Sequence, residues 1–193
     1  MPPRSAEAFG KMRAASRETI LQAALELFAE RGFAQTPVRA IAERAGISQG
    51  LMYNYFDSKT DLLLAIFERG QEDVLASFSA ADGQGMPQEQ LAQLICSSFE
   101  VVRQNRAFWT VFYSLRFQPG IREVLPADVL TWQTQIHSQL AAYLKASGHS
   151  QATAAAWLLF ASIDGAAQHW ALEPETYPLE EVANLLVATY ARF

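Results

Sequence analysis

Cysteine is nearly missing from this chain of 193 residues; the one present, Cys96, rules out a disulfide within the chain and fits a reducing compartment. Cys96 follows Leu94 and Ile95 on an apolar helical face, so it is expected as a buried packing residue. Long hydrophobic runs are also lacking. The longest, residues 152–163, is interrupted by Thr153 and Ser162 and falls short of the roughly 20 apolar residues that cross a bilayer. No basic stretch precedes an apolar one near the start, so a leader is not expected and the cytoplasm is the expected location. Period-two alternation of the kind that marks strands is absent, and no glycine-rich phosphate loop follows a strand. The histidines His137, His149 and His169 lack metal-ligand spacing with each other or with the cysteine. Ser162, Asp164 and His169 could be assembled into a hydrolytic arrangement on paper, as in almost any chain of this length. No metal, cofactor or catalytic centre is therefore expected.

What remains is a folding composition. Half of the residues are hydrophobic and mean hydropathy is +0.01, which excludes a disordered or membrane-embedded chain. Net charge is −5, but it is unevenly spread. Residues 1–60 carry eight Lys/Arg against six Asp/Glu, a balance of +2, while residues 61–193 carry seven against fourteen, a balance of −7. A mildly basic head on an acidic body confines attraction for phosphates to one end.

The stretch from Thr36 to Lys59 carries the strongest pattern. Thr36 reads as an N-cap, with Pro37 at the first helical position, where its missing N–H costs nothing. Val38, Ile41 and Ala42 give an apolar stripe, and Gly46 supplies the left-handed turn that ends the helix. Ser48 caps a second short helix bearing Gln49, Gly50, Leu51, Tyr53 and Tyr55. Helix, glycine turn, helix is the layout whose second helix enters the DNA major groove. Upstream, residues 16–32 form an amphipathic helix with Ile20, Ala24, Leu27 and Phe28 on one face. Met1 to Ala15 shows no apolar periodicity and reads as a flexible arm whose Arg4, Lys11 and Arg13 could reach DNA phosphates. Phe28, Phe33, Ile41, Ile47, Leu51 and Phe56 are the expected core of this head, with Leu51 able to face a base edge instead.

Taken together, Ile20-Leu21, Ala23-Ala24, Leu27-Phe28 and Gly32, then Thr36, Ile41-Ala42, Ala45-Gly46 and Ser48, then Tyr53, Phe56, Lys59 and Leu62 resemble the N-terminal domain of the TetR family of bacterial transcriptional regulators. That resemblance covers about a quarter of the chain in motif form, while helix order extends it loosely over the rest. It implies an all-α fold of about nine helices: a three-helix DNA-binding head followed by a helical ligand-binding and dimerisation body. We place the boundary so that the head is 1–59 and the body 60–193. Gln49 suits a bidentate contact to adenine, Gly50 lets the backbone approach, and Tyr53 offers a ring and a hydroxyl. By resemblance Tyr55 and Lys59 contact phosphates, as do Thr36 and Ser48 at helix N-termini; Arg39 could add another. Leu51 completes the expected DNA-binding set.

Beyond Lys59 the chain reads as helix throughout. One helix runs from Ser58 towards Phe78, and a break falls at residues 81–87. Leu91, Leu94, Ile95, Ser98, Phe99 and Val102 form the next stripe, and an aromatic helix around Phe108–Tyr113 ends before Pro119-Gly120. A helix from Pro126 to Ser147 turns Val129, Trp132, Gln133, Ile136, Leu140 and Leu144 inward. Residues 151–172 are apolar nearly all round, and the last helix repeats Leu179, Val182, Ala183, Leu186 and Tyr190 at helical spacing. Pairing these last two helices with a second copy would cover them in a four-helix bundle, and the family dimerises in this manner. Trp157, Phe160, Leu179, Val182, Leu186 and Tyr190 are the expected homodimer contacts.

The body is rich in aromatics, with a few polar groups on the same faces: Ser98, Gln133, His137, Asp164 and His169. An apolar cavity with polar anchors is the usual form of a small-molecule site. Phe99, Trp109, Phe112, Tyr113, Trp132, Gln133, His137, Trp157 and Asp164 are the expected ligand residues, with Asp164 selecting a cation or bonding to His137 or Gln168. The partners implied are a double-stranded operator, a small-molecule effector and a second copy, with no membrane. The leading expectation is a repressor released from a palindromic operator by its ligand. The alternatives are a same-fold nucleoid or cell-division factor controlled by a protein, and an all-α enzyme.

Overall fold

The computed structural model describes residues 6–80, 85–116 and 127–191, except for the side chains of residues 6, 7, 73, 76–80 and 127–132. Among these residues there are nine helices and no strands. They are α1 (Ala6–Arg31), α2 (Val38–Arg44), α3 (Gln49–Met52), α4 (Lys59–Ala80), α5 (Pro87–Gln104), α6 (Arg106–Arg116), α7 (Ala127–Ala146), α8 (Ala152–Leu172) and α9 (Leu179–Tyr190). The chain divides into two compact units, Met1–Phe67 and Glu68–Phe193, so the first turns of α4 belong to the head. Arg4, the break at 81–84, Pro119-Gly120 and the side chains of Phe78, Val129 and Trp132 lie outside the described residues.

In the head, α1 buries Ile20, Leu21, Ala24, Leu27 and Phe28, the spacing of one helical face. Ile41, Ala42, Met52, Phe56, Leu62 and Leu63 close over it. Met52, fully buried, takes the core position expected of Leu51, which is 42 % exposed. The turn between α2 and α3 follows from one residue: Gly46 has φ +70°. That conformation lets its N–H donate to Glu43 O at 3.2 Å and the Ile47 N–H to Ala42 O at 3.0 Å. These two bonds satisfy the carbonyls that end α2 and aim the chain into α3.

Two expectations for the head are corrected. The segment before Ala15 is not a loose arm within the described residues: α1 is helical from Ala6, and Arg13 packs back on the head. Thr36 does not cap α2. The N-cap is Pro37, without a side-chain bond, and Thr36 is fully buried, its hydroxyl shared between Gly32 O (2.8 Å) and Leu27 O (3.2 Å). A hydroxyl has one proton, so the buried threonine ties the α1–α2 turn to α1 and cannot also serve a phosphate.

In the body, α5 is central, touching α6, α7, α8 and α9. Its buried stripe is Leu91, Leu94, Ile95, Phe99 and Val102, the face that the periodicity defines. Cys96 lies off that stripe and is exposed, contrary to expectation, because it is one helical step beyond Ile95. On α8 the inward face is mostly alanine (Ala156, Ala166, Ala167, Ala171), which lets neighbouring helices approach closely. The larger Trp157 and Leu158 point outward, at 58 % and 61 % exposed. Leu179, Leu186 and Tyr190 of α9 are buried within the chain, where α9 packs on α5 and α8, so these expected dimer contacts belong to the subunit core.

Candidate nucleic-acid interface and ligand cavity

Helix α3 presents the candidate DNA face. Ser48 caps it, its Oγ accepting from the Leu51 N–H at 3.1 Å, which fixes the start of the helix. Met52 anchors the inner side, leaving Ser48, Gln49, Gly50, Leu51 and Tyr53 exposed, Tyr53 at 46 %. A leucine and a tyrosine kept in water beside a buried methionine make this face one that apolar base edges would fit. Tyr55 is half-buried beneath the Arg13 guanidinium, whose carbon lies 5.6 Å from the ring centre and which also donates to Asn54 O at 3.3 Å.

Three further cations of the head, Arg44, Arg39 and Lys59, are engaged. Arg44 pairs with Glu26 (3.1 Å) and Glu30 (3.0 Å), and Arg39 with Glu43 (2.8 Å). Lys59, at the start of α4, donates to Phe33 O (2.7 Å), Thr36 O (3.0 Å) and Ala34 O (3.4 Å) and sits 4.5 Å from the Phe33 ring centre. Partial burial lowers its pKa below the ordinary lysine value. An ammonium has three protons, so Lys59 as placed here is a clamp on the α1–α2 turn rather than a free phosphate donor. The basic balance of the head thus overstates its available positive charge.

The body contains a cavity of about 50 Å³. Val74 of α4 and Ser98, Val101 and Val102 of α5 form one side. Trp109 and Tyr113 come from α6, Ile136 and Leu140 from α7, and Phe160, Ile163, Asp164 and Ala167 from α8. Of the expected ligand residues, Trp109, Tyr113 and Asp164 meet there. Phe160, expected at a dimer interface, faces the cavity instead. Phe99 borders a separate surface hollow with Leu179 and Arg103, and Phe112 is buried under the Arg116 guanidinium. Gln133 is half-buried off the cavity, and Trp157 is exposed. His137 is buried against the Trp157 and Phe160 rings, with centroids 3.6 and 4.4 Å away. His169 is exposed and stacked on Tyr177.

Asp164 bonds neither to His137 nor to Gln168. Its carboxylate takes a 2.6 Å ion pair from Arg116 and a 3.2 Å hydrogen bond from the Tyr113 hydroxyl, which also reaches the Asp164 carbonyl at 3.1 Å. Burial first, and the Asp164 charge second, push the Tyr113 phenol far above its usual range, so it stays neutral. Arg116 is the residue that sequence reasoning missed. Its signal was its position three residues after Tyr113, on the same face of α6.

A three-helix head with a glycine-turned helix pair, followed by a helical body, defines a helix-turn-helix DNA-binding regulator. Comparison with known proteins bears this out. Residues 20–66 match the model of bacterial regulatory proteins of the tetR family, and residues 87–193 match the C-terminal domain of BetI-type transcriptional repressors. The chain belongs to the TetR family and is a DNA-binding transcriptional regulator. It is 30 % identical over 176 residues to the HTH-type transcriptional regulator TtgR of Pseudomonas putida, covering 85 % of this chain and 84 % of that one. With the HTH-type transcriptional repressor KstR2 of Rhodococcus jostii it shares 26 % identity over 139 residues, 72 % of this chain and 65 % of the relative. In fold it is similar to the regulator FadR of Bacillus subtilis in complex with stearoyl-CoA: TM-score 0.74, 22 % identity, 90 % of this chain and 97 % of the other. Among the described residues no helix is long and apolar enough to cross a membrane, and no group of three His, Cys, Asp or Glu side chains could hold a metal.

Proposed function

We propose that the chain acts as a homodimeric repressor that binds a palindromic operator through α3 and leaves it when a hydrophobic small molecule enters the body cavity. The observation that carries the DNA half is the exposed, uncharged face of α3 over a buried Met52. Gln49 would read an adenine edge, Leu51 and Tyr53 would meet thymine methyls, and Arg13, Tyr55 and Ser48 would border the phosphates. Thr36 and Lys59 hold the α1–α2 turn, which sets α2 and the α3 that follows it against α1, so they act on binding through shape.

For the dimer, Trp157 and Leu158 of α8, Leu172 at its end and Leu185 of α9 are 55–66 % exposed. Large apolar side chains grouped on adjacent helices mark an interaction surface. Val182, half-buried, borders the same side of α9. A two-fold pairing through this band gives two heads and hence a palindromic site.

For the effector, the cavity is small: an internal cavity that takes benzene measures about 150 Å³, roughly three times its volume. A ligand therefore has to part α4, α5, α6 and α8. Val74 of α4 lines the cavity and Lys59 begins the same helix, so a displaced α4 reaches the head through the peptide chain itself. Effector and operator then weaken each other by the same factor. Operator binding by this protein would place it in the cytoplasm.

The test is fluorescence anisotropy on the DNA flanking its own gene across a salt series, with Gln49→Ala and Tyr53→Ala beside the natural protein. The expected result is salt-steep binding that each variant weakens about tenfold with its fold intact. Equal affinity of both variants would remove α3 as the reading helix.

A further inference from the structure

All but one of the polar groups at the cavity can be followed to a partner, and the exception is informative. Trp109 is only 6 % exposed, lines the cavity, and its indole N–H has no hydrogen-bond partner among the described residues. A buried donor left unpaired destabilises the empty protein and rewards whatever supplies an acceptor. The other polar groups have spent their protons. Tyr113 donates to Asp164, and the Ser98 hydroxyl donates to Leu94 O at 2.8 Å, so both oxygens face the cavity as acceptors. The one carboxylate among the described lining residues, Asp164, is answered by Arg116 at 2.6 Å, with side chains only 20 % and 26 % exposed.

Resting on the cavity as the effector site, we infer that the effector is an uncharged, largely hydrophobic molecule bearing a carbonyl, ether or hydroxyl oxygen that accepts from Trp109. A ligand carboxylate would compete with Asp164 for Arg116, and a ligand cation would compete with Arg116 for Asp164. Either exchange strands a half-buried charge, which costs more than the new pair returns. An uncharged oxygen leaves the pair intact and satisfies the orphaned donor. A hydroxyl on the ligand can also donate to the Tyr113 or Ser98 oxygen, which a pure hydrocarbon cannot do. The sequence left Asp164 open to selecting a cation or to bonding with His137 or Gln168; in the structure Arg116 takes its charge instead.

The experiment compares one-ring probes of similar size on the full-length protein: acetophenone, ethylbenzene, benzoate and benzylammonium. Binding is followed by the indole N–H resonances in nitrogen–proton correlation spectra, with Trp109→Phe assigning the Trp109 signal. Acetophenone is expected to shift that signal in the manner of a new hydrogen bond and to bind about threefold to tenfold tighter than ethylbenzene, a preference lost in Trp109→Phe. Benzoate and benzylammonium are expected to bind at least about tenfold more weakly than acetophenone. Asp164→Asn should then favour benzoate and Arg116→Gln benzylammonium, with a thermal melt confirming that each variant is folded. A charged probe binding as tightly as acetophenone, an unmoved Trp109 signal at saturation, or no binding by any probe would overturn the inference. Operator release is read separately. Acetophenone binding with the expected preference but without release removes the effector role of the cavity and leaves its chemistry standing; release driven by benzoate does the reverse.

Discussion

The head and the body are both helical, but their residues are placed by different rules. In the head, neighbours in sequence set one another: Ser48 caps α3, Gly46 turns the chain, Ser58 Oγ accepts from the Asp61 N–H at 3.1 Å, and just past the end of α1 Thr36 returns to bond the Leu27 and Gly32 carbonyls. In the body, the cavity gathers Val74, Ser98, Trp109, Ile136 and Phe160, residues from five helices. Local hydrogen bonds make a structure that spacing can announce. Packing between distant helices does not.

That contrast can be broken first at Lys59. Replacing it by Met removes three carbonyl partners at once, for a loss of roughly 2–4 kcal/mol, since hydrogen bonds to a charged group are worth more than neutral ones. Hydrogen exchange should show amides of α1 and α2 losing protection while α5 to α8 keep theirs. Equal loss in both units would mean that they unfold together and that the comparison is false.

Gly70 sharpens the other side. A methyl group built there runs into the Phe108 ring, so α4 and α6 approach more closely than any residue but glycine allows. Gly70→Ala should lower stability by about 1–3 kcal/mol from overpacking, against a gain of about 1 kcal/mol in helix propensity. The melting temperature should recover in the double variant with Phe108→Leu. Recovery failing there would show that the ring is not the obstacle.

Trp157→Ser with Leu185→Ser tests whether the outward face of α8 and α9 does what its inward face does not. Sedimentation should show dissociation to monomer, whereas Leu179→Ala and Tyr190→Ala should reduce stability and leave the stoichiometry unchanged. Each exposed side chain at a well-packed interface is worth roughly 1–2 kcal/mol. A dimer that persists in the double serine variant refutes this face.

The smallest effect concerns His137. Burial lowers its pKa below 6.5, so the unfolded chain binds its proton more readily than the folded one. Stability from a depressed basic group is complete above the unfolded pKa and is lost as pH falls through it towards the folded value. The natural protein should therefore lose melting temperature below about pH 6.5 more steeply than His137→Phe. Parallel pH curves would show that His137 is solvated.

Much of the fold was legible because periodicity records burial. The α5 stripe, the glycine turn and the ends of α8 and α9 follow from the spacing of apolar residues and helix breakers. The candidate site was legible unevenly. Gln49, Gly50, Leu51 and Tyr53 sit on the surface where the helix-turn-helix pattern implies, but Thr36 and Lys59 look polar and exposed in one dimension and are internal ties in three. Asp164 was noticed and its partner was not, since an ion pair between residues 116 and 164 leaves no trace in local spacing. For α9, a stripe of Leu179, Leu186 and Tyr190 tells that one face is covered and is silent on whether its own body or a second copy covers it.

By itself, then, the sequence determined the helices, the glycine turn and the family, because backbone hydrogen bonding and side-chain periodicity act over a few residues. Tertiary structure alone decided which polar groups are neutralised, which donor is left over, and which apolar face stays in water. Those outcomes depend on distances between helices far apart in the chain, and charge and hydrogen bonding are balanced only once those distances exist.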